Sequence, residues 1–185
     1  LTIGDDVNEG FLFMATKQGI VKKTPLSEFK NLRKHGLIAI NLRDGDELLK
    51  VKVTSGNSNI IIATQNGNAI RFKETDVRPM GRTASGVRSI NLKGDDIAVS
   101  MDIAVEGEDL LVISENGFGK RTPISKYKVQ RRGGTGLITY KMSEKTGKVV
   151  GATVCKVEDE LMLINTSGVA IRINVSDISV TSRSA

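Results

Sequence analysis

The sequence predicts an all-β fold assembled from repeated four-stranded units, and three observations carry that prediction. A pattern of about fifty residues recurs along the chain, every copy opens on two strand-like runs joined at a glycine, and apolar residues alternate in short runs instead of recurring at 3.6. Four stretches align: FLFMATKQGIVKKTPLSEF from Phe11, NIIIATQNGNAIRFKETDV from Asn59, DLLVISENGFGKRTPISKY from Asp109 and ELMLINTSGVAIRINVSDI from Glu160. Their glycines, Gly19, Gly67, Gly117 and Gly168, stand 48, 50 and 51 residues apart.

Each of these glycines separates a β-branched or Leu-rich run from a second strand-like run, so each unit opens on a hairpin. Asn66-Gly67 and Asn116-Gly117 predict type I′ turns, which need positive φ at both central residues. Four residues beyond each glycine stands a base, Lys23, Arg71, Arg121 or Arg172, and ten beyond stands Phe29, Val77, Tyr127 or Ile178. A second glycine, Gly36, Gly86 or Gly136, opens another strand. A third, Gly45, Gly94 or Gly147, sits in a turn before a last apolar run such as ELLKVKV. Four strands per unit is the count of a propeller blade. The units span residues 11–58, 59–108, 109–159 and an incomplete 160–185, with 1–10 reading as the tail of a preceding unit. Such a count of three and a half implies a longer array, because each repeat buries its faces against neighbours.

Composition narrows the class. A hydrophobic content of 39% with 26% charged residues suits a soluble globular chain. Lys plus Arg number 27 against 21 Asp plus Glu, giving +6, and that balance favours an anionic partner such as nucleic acid. The single cysteine, Cys155, excludes an internal disulfide and a cysteine zinc site; it fits a reducing cytoplasm and is expected in the core. The opening LTIGDDVNEG has no basic-then-apolar leader, and no apolar run approaches the ~18 residues of a membrane span. A cytoplasmic location without membrane contact is expected.

Among propellers, WD40 units carry a Trp-Asp signature and this chain has no Trp, while the Gly-Gly doublet of kelch units occurs once, at Gly133 and Gly134. The stretches FMATKQGIVKKTPLSEF, GDELLKVKVTSG, GNAIRFKETDVRPMGRTASGVRSINLKGDD, NGFGKRTPISKYKVQRRGGTGLI and VVGA resemble the C-terminal domain of the DNA gyrase A subunit, and the similar domain of topoisomerase IV is the alternative. The resemblance runs over essentially the whole chain. It implies an all-β, propeller-like β-pinwheel: about three and a half four-stranded blades of a six-bladed array, with strands partly exchanged between neighbours and a basic rim that bends duplex DNA. As partners it implies the gyrase B subunit together with the rest of the gyrase A subunit, in an A2B2 heterotetramer. ATP and magnesium belong to the B subunit, the DNA-cleaving tyrosine to an upstream domain. The chain itself is then expected to hold no cofactor and no catalytic residue.

Within this resemblance, QRRGGTG (Gln130, Arg131, Arg132, Gly133, Gly134, Thr135, Gly136) is similar to the gyrase loop Gln-Arg-Arg-Gly-Gly-basic-Gly associated with wrapping, with Thr135 at the last basic position. It lies in the third unit, whereas the gyrase loop lies in the first blade, so it reads as an echo that binds and bends DNA while constraining little supercoiling by itself.

From Asn116 to Ser143 there is no Asp or Glu, while seven bases are present. Beside glycines that let backbone N–H groups approach an anion, such a loop suits phosphate contact. Recurrence strengthens this: Lys30, Arg33 and Lys34 occupy the equivalent loop of the first unit, Arg78 and Arg82 that of the second, Lys128, Arg131 and Arg132 that of the third, and Arg183 that of the fourth. The hairpin bases Lys22, Lys23, Arg71, Lys120 and Arg121 complete the expected DNA-binding set. Odd units carry Lys22 or Lys120 where even ones carry Ile70 or Ile171, so odd blades are expected to touch DNA more strongly. The seven aromatics form no stacking platform for single strands, and no helix suits the major groove, so duplex backbone is the expected target. No Walker A loop, GxGxxG or HExxH occurs, and His35 between Lys34 and Gly36 reads as a loop residue or DNA contact. A protein-interaction propeller with an acidic partner is the competing class.

Overall fold

The computed structural model of the chain describes residues 9–30 and 35–185. Arg33, Lys34 and all but the last two residues of the expected leading tail lie outside the described residues. The first hairpin is β1 (Phe11–Thr16) and β2 (Ile20–Pro25), and β3 (Leu48–Thr54) returns antiparallel to β1. The second unit repeats this with β4 (Asn59–Thr64), β5 (Asn68–Lys73), a short β6 (Val87–Arg88) and β7 (Ala98–Ile103). The third has β8 (Asp109–Ser114), β9 (Gly119–Pro123), the short β10 (Val129–Gln130) and β11 (Leu137–Ile138), and β12 (Val149–Cys155). The fourth is the hairpin β13 (Glu160–Ile164) and β14 (Ala170–Asn174).

The short strands join the neighbouring unit. β6 pairs with β2 of the first unit, and β10 and β11 both pair with β5 of the second. An isolated bridge between Arg121 and Val180 repeats the exchange from the fourth unit to the third. A blade is therefore three strands of its own unit completed by the next, and this covers sheet edges that would otherwise leave backbone groups unpaired. Residues 37–42, the equivalent segment of the first unit, form no strand, and no hairpin precedes them among the described residues other than that of their own unit.

The hairpins turn where the glycine pattern places them, but not as type I′. Among the described residues no non-glycine has positive φ, so Asn66 and Asn116 stay in ordinary conformations and only the third loop residue is left-handed, with Gly67 at 79° and Gly117 at 80°. A three-residue loop ending in a left-handed glycine needs one such residue and not two. The glycine N–H closes it onto the last residue of the first strand, as Gly67 does on the Thr64 carbonyl at 3.1 Å.

Alternation along each first strand decides where the core lies. Ile60 and Ile62 face the first unit and pack with Phe13, Val21 and Phe72, whereas Ile61 and Ala63 face the third and pack with Leu110, Val112 and Tyr127. Leu111 points the other way, to Cys155 of its own unit and Val175 of the fourth. The apolar runs are continuous because both faces of these strands are covered, one by each neighbour. The last strands of the first three units meet, β7 lying against both β3 and β12. There Asp102 of β7 pairs with Lys52 of β3 at 2.8 Å and accepts the Thr153 hydroxyl of β12 at 3.0 Å. Burial raises the pKa of the Asp102 carboxyl, yet Lys52 and the N–H groups of Ile103 and Val154 more than offset this and hold it below the usual range.

Candidate nucleic-acid interface

The recurring hairpin bases are interior groups. In the first three units the base four residues beyond the turn glycine reaches carbonyls in or at the end of the 3-10 turn that follows the hairpin of the next unit. Lys23 Nζ donates to Glu74 at 3.2 Å, Arg71 Nη1 to Ile124 and Tyr127 at 3.2 Å each, and Arg121 Nε to Ile178 at 2.9 Å. Arg71 is also paired with Glu106, and Arg121 with Asp109 at 2.9 Å. Arg172 holds the same place in the fourth unit, is exposed, and pairs with Glu160. In these short turns the Glu74 and Ile124 carbonyls already accept the N–H of Val77 and of Tyr127, and the buried cation supplies a second donor from across the junction.

Lys22 and Lys120, one residue earlier, do the same for the following loop. Lys22 Nζ, with no exposed surface, donates to the carbonyls of Ala39 and Arg82. Lys120 Nζ donates to the oxygens of Ser182, Arg183 and Ala185 at 2.8 to 2.9 Å, using all three of its hydrogens. Burial lowers both amines to about 8, aided by the Arg82 guanidinium beside Lys22 and by that of Arg183 beside Lys120. Lys22, Lys23, Arg71, Lys120 and Arg121 were expected at a DNA-facing surface and are instead buried junction ties, so they leave the candidate interface. Strand alternation does not separate Lys22 from Lys23, because each tip reaches a carbonyl of the second unit, Arg82 or Glu74.

What remains outside is a different set of bases. Lys30, Arg78 and Lys128, each eleven residues beyond a turn glycine, are exposed, as is Arg131. Arg82, Arg132 and Arg183, each fifteen beyond, are half-buried and link successive loops. Arg82 donates to Ile38, Arg132 to Arg88 and Arg183 to Ile138, in each case the carbonyl two residues past the second glycine of the preceding unit. Backbone bonds run alongside: Asn41 N–H to Ala84, Asn91 N–H to Gly134 and Lys141 N–H to Ala185. The basic loops are thus joined edge to edge.

QRRGGTG sits across this chain of loops. Gln130 begins it as the end of β10, and Gly133, left-handed at 84°, donates its N–H to the Ser89 carbonyl at 2.6 Å. Gly136 is the glycine that close approach demands. A Cβ there would lie 2.6 Å from the Ala69 carbonyl oxygen of β5, on a backbone already at φ 77°. Gly86 meets Val21 in the same way one junction earlier, at 2.5 Å. Gly134, by contrast, has room for a Cβ. Thr135, which replaces the last base of the motif, lines a cleft of about 160 Å³ with Lys93, Asn68, Asn91 and Asp96. Sequence reading passed over Lys93, an exposed base in the third-glycine turn of the second unit, and only its packing against this loop singles it out. Tyr127 and Tyr140 are buried, bonded to Thr139 at 2.5 Å and to Ser114 at 3.4 Å. His35 is exposed.

Repeated β units that lend short strands to the preceding unit, and that carry linked basic loops, define a β-pinwheel, a propeller with exchanged strands. The chain belongs to the family described as DNA gyrase C-terminal domain, beta-propeller, whose profile matches residues 10–55, 58–104, 108–156 and 159–185. It is 59% identical over all 185 residues to the DNA gyrase A subunit of Clostridium acetobutylicum, and 47% identical over 179 residues to that of Staphylococcus epidermidis. It spans 22% and 20% of those proteins' lengths. Among solved structures it is similar to the C-terminal domain of DNA topoisomerase IV, with a TM-score of 0.93 and 28% identity over the whole chain and 58% of that one. It is also similar to the DNA gyrase A C-terminal domain, with a TM-score of 0.87 and 28% identity over 99% of this chain and 66% of that one.

Proposed function

We propose that this chain binds duplex DNA without sequence specificity and bends it along its linked basic loops, as part of a gyrase A subunit. The carrying observation is the exposed base eleven residues beyond the turn glycine in three successive units, on loops tied into one continuous edge. Evenly repeated bases at a stiff edge suit the evenly repeated phosphates of a duplex, and the fold presents no groove-reading helix among the described residues. Preference among sequences then comes from how easily each bends. In the whole enzyme this bending supports negative supercoiling driven by ATP and magnesium at the gyrase B subunit, with DNA cleavage outside this chain. The chain supplies binding and no catalysis. Identity of 59% to a gyrase A subunit favours that parent over topoisomerase IV.

Binding to a short duplex at graded salt tests this. If Lys30, Arg78, Lys128 and Arg131 meet phosphates, affinity should fall by about two decades between 50 and 200 mM salt. Replacing all four with glutamine should abolish most of that dependence. Binding that ignores salt, or saturable capture of an acidic protein with DNA affinity no greater than that of an unrelated basic protein, would replace this reading with the protein-interaction one.

A further inference from the structure

The loop-to-loop bonds separate the two arginines of QRRGGTG. Arg132 is half-buried and donates from Nε to the Asp76 carbonyl at 2.9 Å and from Nη1 to the Arg88 carbonyl at 3.0 Å. Those two carbonyls lie on the 3-10 turn and on the lent strand of the second unit, so one guanidinium pins the third unit's loop to two places at once. Arg131 is exposed and makes no hydrogen bond or ion pair among the described residues. The Arg132 arrangement is not local chance, because Arg82 reaches Ile38 at 3.4 Å and Arg183 reaches Ile138 at 3.0 Å from the equivalent position.

A guanidinium is suited to this place and an ammonium is not. Its planar fork presents donors in fixed, divergent directions, whereas a lysine offers one nitrogen on a flexible stem. The bonds from Arg132, together with Gly133 N–H to Ser89 and Asn91 N–H to Gly134, order the loop before any ligand arrives. A loop ordered in advance spares the ordering cost at binding and fixes the spacing between successive exposed bases.

We propose that Arg132 is a positioning residue that holds the QRRGGTG loop on the second unit, so that the exposed Arg131 meets a backbone phosphate. Arg82 and Arg183 play the same part at the neighbouring junctions. This assignment rests on the duplex-DNA reading above.

The test compares lysine and glutamine at the two positions, using anisotropy with a labelled duplex of about 30 base pairs as probe, long enough to span several loops, and hydrogen exchange in the free protein. Arg131→Lys should bind within about twofold of the starting protein, and Arg131→Gln should lower the salt slope by about 0.9. Arg132→Lys and Arg132→Gln should both weaken binding by about tenfold, the scale of lost charge-assisted hydrogen bonds. In an Arg131→Gln background, Arg132→Gln should add less than about twofold, because it acts through the same loop. The amides of Asn91 and Gly133 should exchange faster in both Arg132 variants and unchanged in the Arg131 variants. Arg82→Lys repeats the comparison at Asn41 should Arg132→Lys fail to fold.

Full affinity in Arg132→Lys, additive losses in the double variant, or undisturbed exchange at Asn91 and Gly133 would each overturn the positioning role. A purely structural tie would speed exchange yet leave DNA affinity intact, and that result also overturns it. If the unsubstituted chain ignores the duplex even at 50 mM salt, the duplex-DNA reading fails, and with it Arg131's phosphate. Exchange alone then decides whether Arg132 orders the loop.

Discussion

The junction between the second and third units and the two junctions beside it hold an equivalent loop by different means. At the outer two, a buried lysine, Lys22 or Lys120, grips the loop backbone through its ammonium. At the middle one Ile70 stands in the lysine's place, with its Cδ1 3.8 Å from where a Cβ on Gly134 would be. All three junctions share one parallel bridge, Pro79 with Lys23, Val129 with Arg71 and Val180 with Arg121, and the middle loop is held further by Gln130 pairing with Phe72 and by Gly133 N–H on Ser89. The lesson is that one tertiary position can be secured by a desolvated charge or by apolar packing plus backbone pairing. The two solutions carry different sensitivities. A charge in a carbonyl cage responds to pH, whereas the close glycine on a lent segment, Gly86 at one outer junction and Gly136 at the middle one, responds to an added carbon.

The largest effect should come from adding that carbon where the middle junction is tightest. Gly136→Ala places a Cβ against the Ala69 carbonyl on a left-handed backbone and is expected to cost about 2–3 kcal/mol of unfolding free energy. Gly134→Ala, two residues away, should cost less than ~1 kcal/mol. Urea denaturation of the pair measures both; equal losses would mean that the tightness of this junction does not lie at Gly136.

Next in size is the contrast between a filled and an unfilled tie. Arg71→Met takes the guanidinium from the Tyr127 carbonyl and leaves the Ile124 carbonyl with the Tyr127 N–H alone, and should destabilise by roughly 2–3 kcal/mol. Arg172→Met, at the equivalent exposed place, should stay within about 0.5 kcal/mol. Thermal melts of the two variants decide, and a costly Arg172→Met would show that the Glu160 pair stabilises more than an exposed ion pair usually does.

The smallest effect separates the junctions by pH. The folded-state amines of Lys22 and Lys120 lie at about 8, below the 10.5 of the unfolded chain, so between those values the unfolded state binds more protons and stability rises with pH. The gain should be on the order of 1 kcal/mol per lysine. Lys22→Met with Lys120→Met should flatten this rise, while Ile70→Ala should leave its slope alone. Denaturation midpoints at about pH 7.5 and about pH 10, which bracket the folded-state titration, supply the measurement, and an unchanged rise in the double lysine variant would break the comparison.

Much of this was legible before any coordinates. The four turn glycines, the two-run hairpins and the fifty-residue period follow from local chemistry: alternation, β-branching and the left-handed freedom of glycine act within a few residues. The regular bases were legible too, as positions. Their meaning was not, because a lysine three residues past a turn reads alike whether its tip meets water or a neighbour's carbonyl. Type I′ turns failed for a related reason, since Asn-Gly is compatible with both loops and the register of the flanking strands chooses between them.

The sequence by itself determined the repeat, the strand content, the positions of glycine and base within each unit, and an excess of positive charge. Only the tertiary structure decided which bases are inside. Lending β6, β10 and β11 to the preceding unit brings residues some fifty positions apart into contact, and it buries the hairpin cations under the next unit's turn. That contact depends on long-range pairing, and no local pattern encodes it. The same fold leaves Lys30, Arg78, Lys128 and Arg131 exposed to solvent.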